Sequence, residues 1–226
     1  MNNEIGTENL VKGGGLFYPE AINSVAKDVD LLFYFIFALS VIVFVGLVVA
    51  TVYFLIKPRQ KPTKHLTHSN TLEITWTVIP TILVMIIFFW GFKDYLRLQV
   101  PHSNALEIKV TGKKWLWEFV YPNGYTSVNE LVIPEGRSIK LLMSAADVLH
   151  SFYVPNMRVK RDLIPNRYSA LTLYSEKRGT YTIFCTEYCG DGHSIMLANL
   201  IVKGEDEYQE WLASAGSADD DLPLDE

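Results

Sequence analysis

Two stretches of the chain break with the mixed pattern of polar and apolar residues found elsewhere. Leu31 to Ile56 contains no charged side chain, and Thr75 to Phe92 forms a second uncharged run. About 20 apolar residues in a helix are enough to cross a bilayer. The first run crosses with room for tilt. The second just reaches, and Pro80 inside it predicts a kink. Within residues 28–100 the pattern therefore predicts a two-helix transmembrane hairpin, with spans over about 31–56 and 73–98. The intervening loop, 57–71, carries Lys57, Arg59, Lys61 and Lys64 and no acidic residue. That excess of positive charge assigns the loop to the cytoplasm and both chain ends to the outside. Residues 1–27 read as a loosely structured extracytoplasmic arm. They show no basic segment leading into a short apolar core, the mark of a cleavable signal.

From Ser103 the period changes. Leu106, Ile108 and Val110 alternate with polar neighbours, as do Ile139, Leu141 and Met143, and later Tyr181, Ile183 and Cys185. A period of two over short runs predicts half-buried strands. Tyr121-Pro122-Asn123-Gly124 and Ile133-Pro134-Glu135-Gly136 have the proline and glycine of tight turns. Many short strands joined by turns predict a soluble sandwich or Greek-key β-barrel over 103–203. Residues 204–226 read as a short helix near 205–213 and a disordered acidic tail. The net charge of −5 argues against nucleic-acid binding and suits a basic protein partner.

The chemistry concentrates in one loop. Cys185, Cys189, His193 and Met196 fall within Cys185-Thr186-Glu187-Tyr188-Cys189-Gly190-Asp191-Gly192-His193-Ser194-Ile195-Met196, and His150 lies upstream in Asp147-Val148-Leu149-His150-Ser151. These are the only two cysteines in the chain. Two cysteines outside the membrane could form a disulfide, and with histidine they could bind zinc. A disulfide needs neither histidine nor methionine, and zinc prefers Cys, His and carboxylate. Thiolate, thioether and imidazole together select copper. A mononuclear blue copper site takes one Cys, two His and a weak axial Met, which leaves one thiolate over. Two thiolates bridging two copper ions, with one histidine on each, use the whole set.

This motif, His150 and the paired apolar runs resemble subunit II of the haem-copper cytochrome c oxidases, from about Asp28 to Val202. The resemblance implies a membrane-anchored α+β chain with a cupredoxin-like domain. It implies a dinuclear copper A centre held by His150, Cys185, Cys189, His193, Met196 and the carbonyl of Glu187. The Glu187 side chain would share a magnesium ion with subunit I. Trp115 would be the point where electrons arrive from cytochrome c, within an aromatic patch that includes Trp117. Leu116 replaces the family's usual aromatic, and Lys113-Lys114 replaces its usual His-Gln. Asp147, Glu118, Glu130 and Glu135 are candidate acidic contacts for the donor. Glu73, at the cytoplasmic end of the second span, would open a proton channel; a glutamate there is also favoured by the helix dipole alone. The resemblance places haem and the CuB ion in subunit I; this chain has no CxxCH motif to attach a c-type haem. The setting implied is a bacterial plasma membrane, with membrane lipid around the spans and the C-terminal domain in the periplasm.

Two rival functions fit parts of the pattern. A nitric oxide reductase could share the architecture, whereas a nitrous oxide reductase would need a large second catalytic domain. A membrane-tethered copper carrier would have no use for Trp115, Glu73 or a kinked second span.

Overall fold

The computed structural model describes residues 14–57, 68–99 and 104–219. Most of the basic loop and the acidic tail from Asp220 onward lie outside the described residues. Two units emerge, residues 28–95 and the rest of the chain.

The first unit is carried by two helices, α1 (Ser24–Ile56) and α2 (Asn70–Gln99). Both are long and apolar enough to cross a membrane, and the apolar window of each is unburied. The helices touch through Phe35 and Trp90, whose ring centroids stand 5.7 Å apart. α2 runs on through Pro80 as one helix. Ser40, Thr51, Thr75 and Thr81 turn their hydroxyls back to the carbonyl four residues earlier, at 2.6–2.8 Å. Such bonds satisfy polar groups where no water is available.

The second unit is a β-sandwich. Its strands are β1 (Leu106–Lys113), β2 (Leu116–Val120), β3 (Thr126–Val128), β4 (Glu130–Pro134), β5 (Ile139–Ala145), β6 (His150–Val154), β7 (Val159–Leu163), β8 (Ser169–Leu173), β9 (Gly179–Cys185) and β10 (Leu197–Lys203). One sheet has the order β3-β2-β1-β5-β8 and the other β4-β10-β9-β6-β7. The β1–β5 and β4–β10 pairs are parallel, so the chain crosses between sheets as a Greek key does. The alternation read from the sequence is realised: Ile108, Val110, Ile139, Leu141, Met143 and Ile183 are buried between the sheets. At the first turn, the Gly124 amide donates to the Tyr121 carbonyl at 3.0 Å, with Gly124 at φ 90°. A last helix, α3 (Glu205–Asp219), outruns the short helix expected there. It docks by Tyr208, which is buried, and by Trp211 against Tyr121 at 5.1 Å.

The arm differs from expectation. Its described part is tied to the sandwich. The Ile22 amide donates to Asn156 O at 3.1 Å, the Glu176 amide to Ile22 O at 2.9 Å, and Asn23 Nδ2 to Tyr174 O at 2.8 Å. Arg158 covers the Tyr18 ring at 4.8 Å and donates to Pro19 O at 2.7 Å. Ile22 is 1% exposed and belongs to the core. A lone apolar anchor held by backbone bonds leaves no periodic trace in sequence. Ile22→Ala is therefore expected to destabilise the soluble unit by about 2–4 kcal/mol. Denaturant unfolding checks this; a loose arm would give no change.

Candidate metal centre

Three strand ends build the site. β6 begins with His150, β9 ends with Cys185, and β10 starts one residue after Met196. β6 and β9 pair antiparallel with Phe152 opposite Cys185. The loop joining β9 to β10 is anchored by the Thr186 amide, which donates to Ser151 O at 3.0 Å.

The donors converge. Cys185 Sγ and Cys189 Sγ stand 3.8 Å apart, beyond the roughly 2.05 Å of a disulfide. Both thiols are free and buried. Cys185 Sγ lies 3.9 Å from His150 Nδ1 and 3.4 Å from the Glu187 carbonyl. Cys189 Sγ lies 3.5 Å from His193 Nδ1 and 3.8 Å from Met196 Sδ. His150 and Met196 are fully buried, while His193 is partly exposed. Burial, with the Cys185 thiol alongside, pushes the Cys189 thiol up to about 11. Two adjacent buried thiolates are thus unfavourable without a cation, and a bound cation would deprotonate them. Two sulfurs, two imidazole nitrogens, a thioether and a carbonyl exceed the four ligands of one tetrahedral ion. The donor set fits a pair of soft ions.

Asp147, expected among the docking acids, is exposed and also braces His150. Its Oδ1 lies 2.8 Å from His150 Nε2, and its carboxylate also accepts the amides of Val148 at 2.6 Å and Lys114 at 2.8 Å. Burial raises its pKa, but these three bonds outweigh it and hold the Asp147 carboxyl below the usual carboxylate range. Holding the proton on Nε2 leaves Nδ1 free to ligate. Asp147→Asn is expected to weaken metal affinity by about tenfold or more. Competition with a chelator measures this, and unchanged affinity would remove the orienting role.

Trp115 and Trp117 do not share a strand face, because Trp115 sits in the β1–β2 turn. Its Nε1 donates to Cys189 O at 3.2 Å, and it is 37% exposed. The ring lies against the metal loop so closely that a Cβ on Gly192 would come within 2.3 Å of it. A Cβ on Gly190, at φ 113°, would stand 3.3 Å from the same ring. Gly112 likewise makes room for His150, whose ring a Cβ there would approach to 3.1 Å. Trp117 cannot touch a partner, being fully buried edge-on to Phe152 at 5.4 Å and to His150 at 6.2 Å.

The remaining candidates are scattered. Glu118 pairs with Lys113 at 2.6 Å. Glu130 is exposed at the start of β4. Glu135 pairs with Arg178 at 2.8 Å and is bonded beside Lys203, at the far end of β10 from Met196. A seven-residue strand puts it about 20 Å from the metal loop. It is therefore not part of the face around Trp115. Glu187 Oε1 is 3.0 Å from Lys160 Nζ, which also bonds Asp162 at 2.8 Å. The hydrogen bond to Asp162, with that to Glu187, raises the Lys160 pKa. Glu73 stands in the first turn of α2, 2.8 Å from His68 Nδ1. Sequence reasoning missed the glycines, Lys160 and the Asp147 role; of these only the Asp-x-x-His spacing carried a signal.

Comparison with known proteins settles the family. A profile described as the transmembrane domain of cytochrome c oxidase subunit II matches residues 15–93, and one for that subunit's periplasmic domain matches 125–203. The cytochrome c oxidase subunit 2 of Metridium senile is 30% identical over 175 residues, covering 67% of this chain and 71% of that protein. The chain belongs to the cytochrome c oxidase subunit II family. It is a membrane protein with a two-span anchor and a cupredoxin-like domain. The subunit 2 of Alkalihalophilus pseudofirmus is 36% identical over 195 residues, 78% of this chain and 56% of that protein. A probable subunit 2 from Rickettsia conorii is 32% identical, with 54% of that protein covered. The chain thus spans little more than half the length of these two relatives. The crystal structure of the periplasmic domain of cytochrome oxidase subunit II from Bradyrhizobium japonicum covers 53% of this chain and 98% of its own, at 30% identity and a TM-score of 0.51.

Proposed function

We propose that this chain receives electrons for a haem-copper cytochrome c oxidase, through a dinuclear copper A centre. The observation that carries the reading is the convergence of Cys185, Cys189, His150, His193, Met196 and the Glu187 carbonyl around the two buried thiols. Cys185 and Cys189 would bridge the ions, and His150 and His193 would each bind one through Nδ1. Met196 and the Glu187 carbonyl would be the weak ligands. A copper pair bound there would take up one electron at a time and pass it on. Asp147 orients His150, and the Trp117 ring packs against it. Trp115 would conduct electrons from cytochrome c into the site, a role supported by its exposure and its bond to Cys189 O.

Subunit I would hold haem and CuB, where oxygen is reduced to water with proton pumping. Glu73 would start a proton path on the cytoplasmic side. Magnesium would need further oxygen ligands from subunit I, since the Glu187 carboxylate is engaged by Lys160. The soluble domain would face the periplasm of a bacterial cell, above its plasma membrane. Among the docking acids, Glu118 is paired with Lys113 and Asp147 with His150. Donor binding should therefore depend weakly on salt, as for a cytochrome held within the complex. Neutralising Lys113 and Lys114 together should leave the association rate unchanged or lower at two ionic strengths. Acceleration at low salt would point to a basic soluble donor.

Stopped-flow mixing of the copper-loaded chain with reduced cytochrome c tests the whole reading. Rapid bleaching of the copper spectrum is expected. Bound copper that takes no electron from any cytochrome would instead favour the carrier.

A further inference from the structure

A lysine holds the outer side of the metal loop. Lys160, on β7, reaches Glu187 Oε1 at 3.0 Å and Asp162 Oδ1 at 2.8 Å. Asp162 Oδ1 also accepts the Ser151 hydroxyl at 2.7 Å. Ser151 lies on β6, opposite Asp162 in the β6–β7 register, and is fully buried. Its own carbonyl takes the Thr186 amide at 3.0 Å. The bonds therefore close on themselves. Ser151 holds Thr186 directly, and it holds Glu187 through Asp162 and Lys160.

An isolated surface ion pair contributes little, because two long side chains must be ordered in water. Lys160 differs in that it bridges two carboxylates, one of them fixed by a buried hydroxyl. The bond from Lys160, with that from Ser151, holds the Asp162 carboxyl below the usual carboxylate range, so the anchoring end of the bridge stays ionised. The other end, Glu187, is also the residue whose carbonyl faces the site, 3.4 Å from Cys185 Sγ. Glu187 lies beyond the end of β9, where no strand ladder fixes the backbone. A side chain anchored at Oε1 and a preceding amide anchored at Ser151 together restrict rotation of the Glu187 peptide.

We propose, resting on the copper reading, that Lys160 is a positioning residue for the metal pair: by bridging Glu187 to Asp162 it keeps the Glu187 carbonyl turned toward the site. Lys160 supplies no donor atom and acts only through Glu187.

Lys160→Leu tests this, because it removes the charge and keeps an apolar stem. The variant should still hold two coppers, since the thiols, imidazoles and thioether are untouched. Its paramagnetic spectrum should change from equal to unequal coupling to the two copper nuclei, because only one of the ions would use the carbonyl. The midpoint potential supplies a sign. Oxygen is a hard donor that favours the oxidised ion, so its loss should raise the potential. Loss of a nearby positive charge alone should lower it. In the metal-free chain, hydrogen exchange of residues 186–188 should quicken by about fivefold, the upper scale of one exposed ion pair. Lys160→Arg, which can donate to both carboxylates, should restore the coupling, the potential and the exchange. A Lys160→Leu chain with equal coupling and unchanged exchange would overturn the proposal. So would a lowered potential with equal coupling, the mark of charge alone. An unaltered chain that holds one copper, or zinc, would contradict the copper reading itself, and exchange in the metal-free chain would still decide whether Lys160 holds the loop.

Discussion

Cys185→Ser or Cys189→Ser should each destroy the paired metal site while leaving the fold in place. Each sulfur lies beside an imidazole, a weak donor and the other sulfur. Cys185 lies near His150 and the Glu187 carbonyl, Cys189 near His193 and Met196, and the two sulfurs near each other. Serine is smaller and hard, a poor partner for copper. The expected result is a chain with at most one copper and with the spectrum of the pair gone. The sandwich should melt close to its usual temperature, since the core cluster extends far beyond the thiols. Retention of two coppers by either variant would show that the bridging sulfurs are misassigned.

Trp115→Ala should have the next largest effect, and of a different kind. The indole is no ligand, so copper content and spectrum should stay normal. Its exposed ring is joined to the metal loop through Cys189 O, and its removal should slow reduction by cytochrome c by about a hundredfold, the scale on which lost positioning acts. Gly192→Ala should reproduce part of that loss without removing the ring, because its Cβ would collide with Trp115. Stopped-flow reduction separates the two expectations. Full-speed reduction in Trp115→Ala would end its assignment as the electron-accepting residue.

Much of this was legible in the sequence, for identifiable reasons. Freedom from charge over Leu31–Ile56 and Thr75–Phe92 is a signal few other structures produce, and both became helices. Alternation marked β1, β5 and β9 because one face of each is buried. The soft donors sat in a single loop, so proximity in sequence already implied proximity in space. What was not legible depended on tertiary detail. Trp115 and Trp117 are two apart, yet a turn between β1 and β2 separates their environments, one exposed and one buried. Asp147 and Glu118 look like free surface acids until His150 and Lys113 are seen beside them. Glu135 is close to Glu130 in sequence, but β4 carries it to the other end of the sandwich. Gly190 and Gly192 matter for the indole that rests on them, which no local pattern announces.

The central claim is that the two thiols, two imidazoles, thioether and carbonyl hold two copper ions that share one unpaired electron. Metal analysis joined to electron paramagnetic resonance of the oxidised chain tests it most directly. The expected result is two coppers per chain and a hyperfine pattern from one electron spread equally over two copper nuclei. One copper per chain with the pattern of a single nucleus, or zinc in its place, would contradict it.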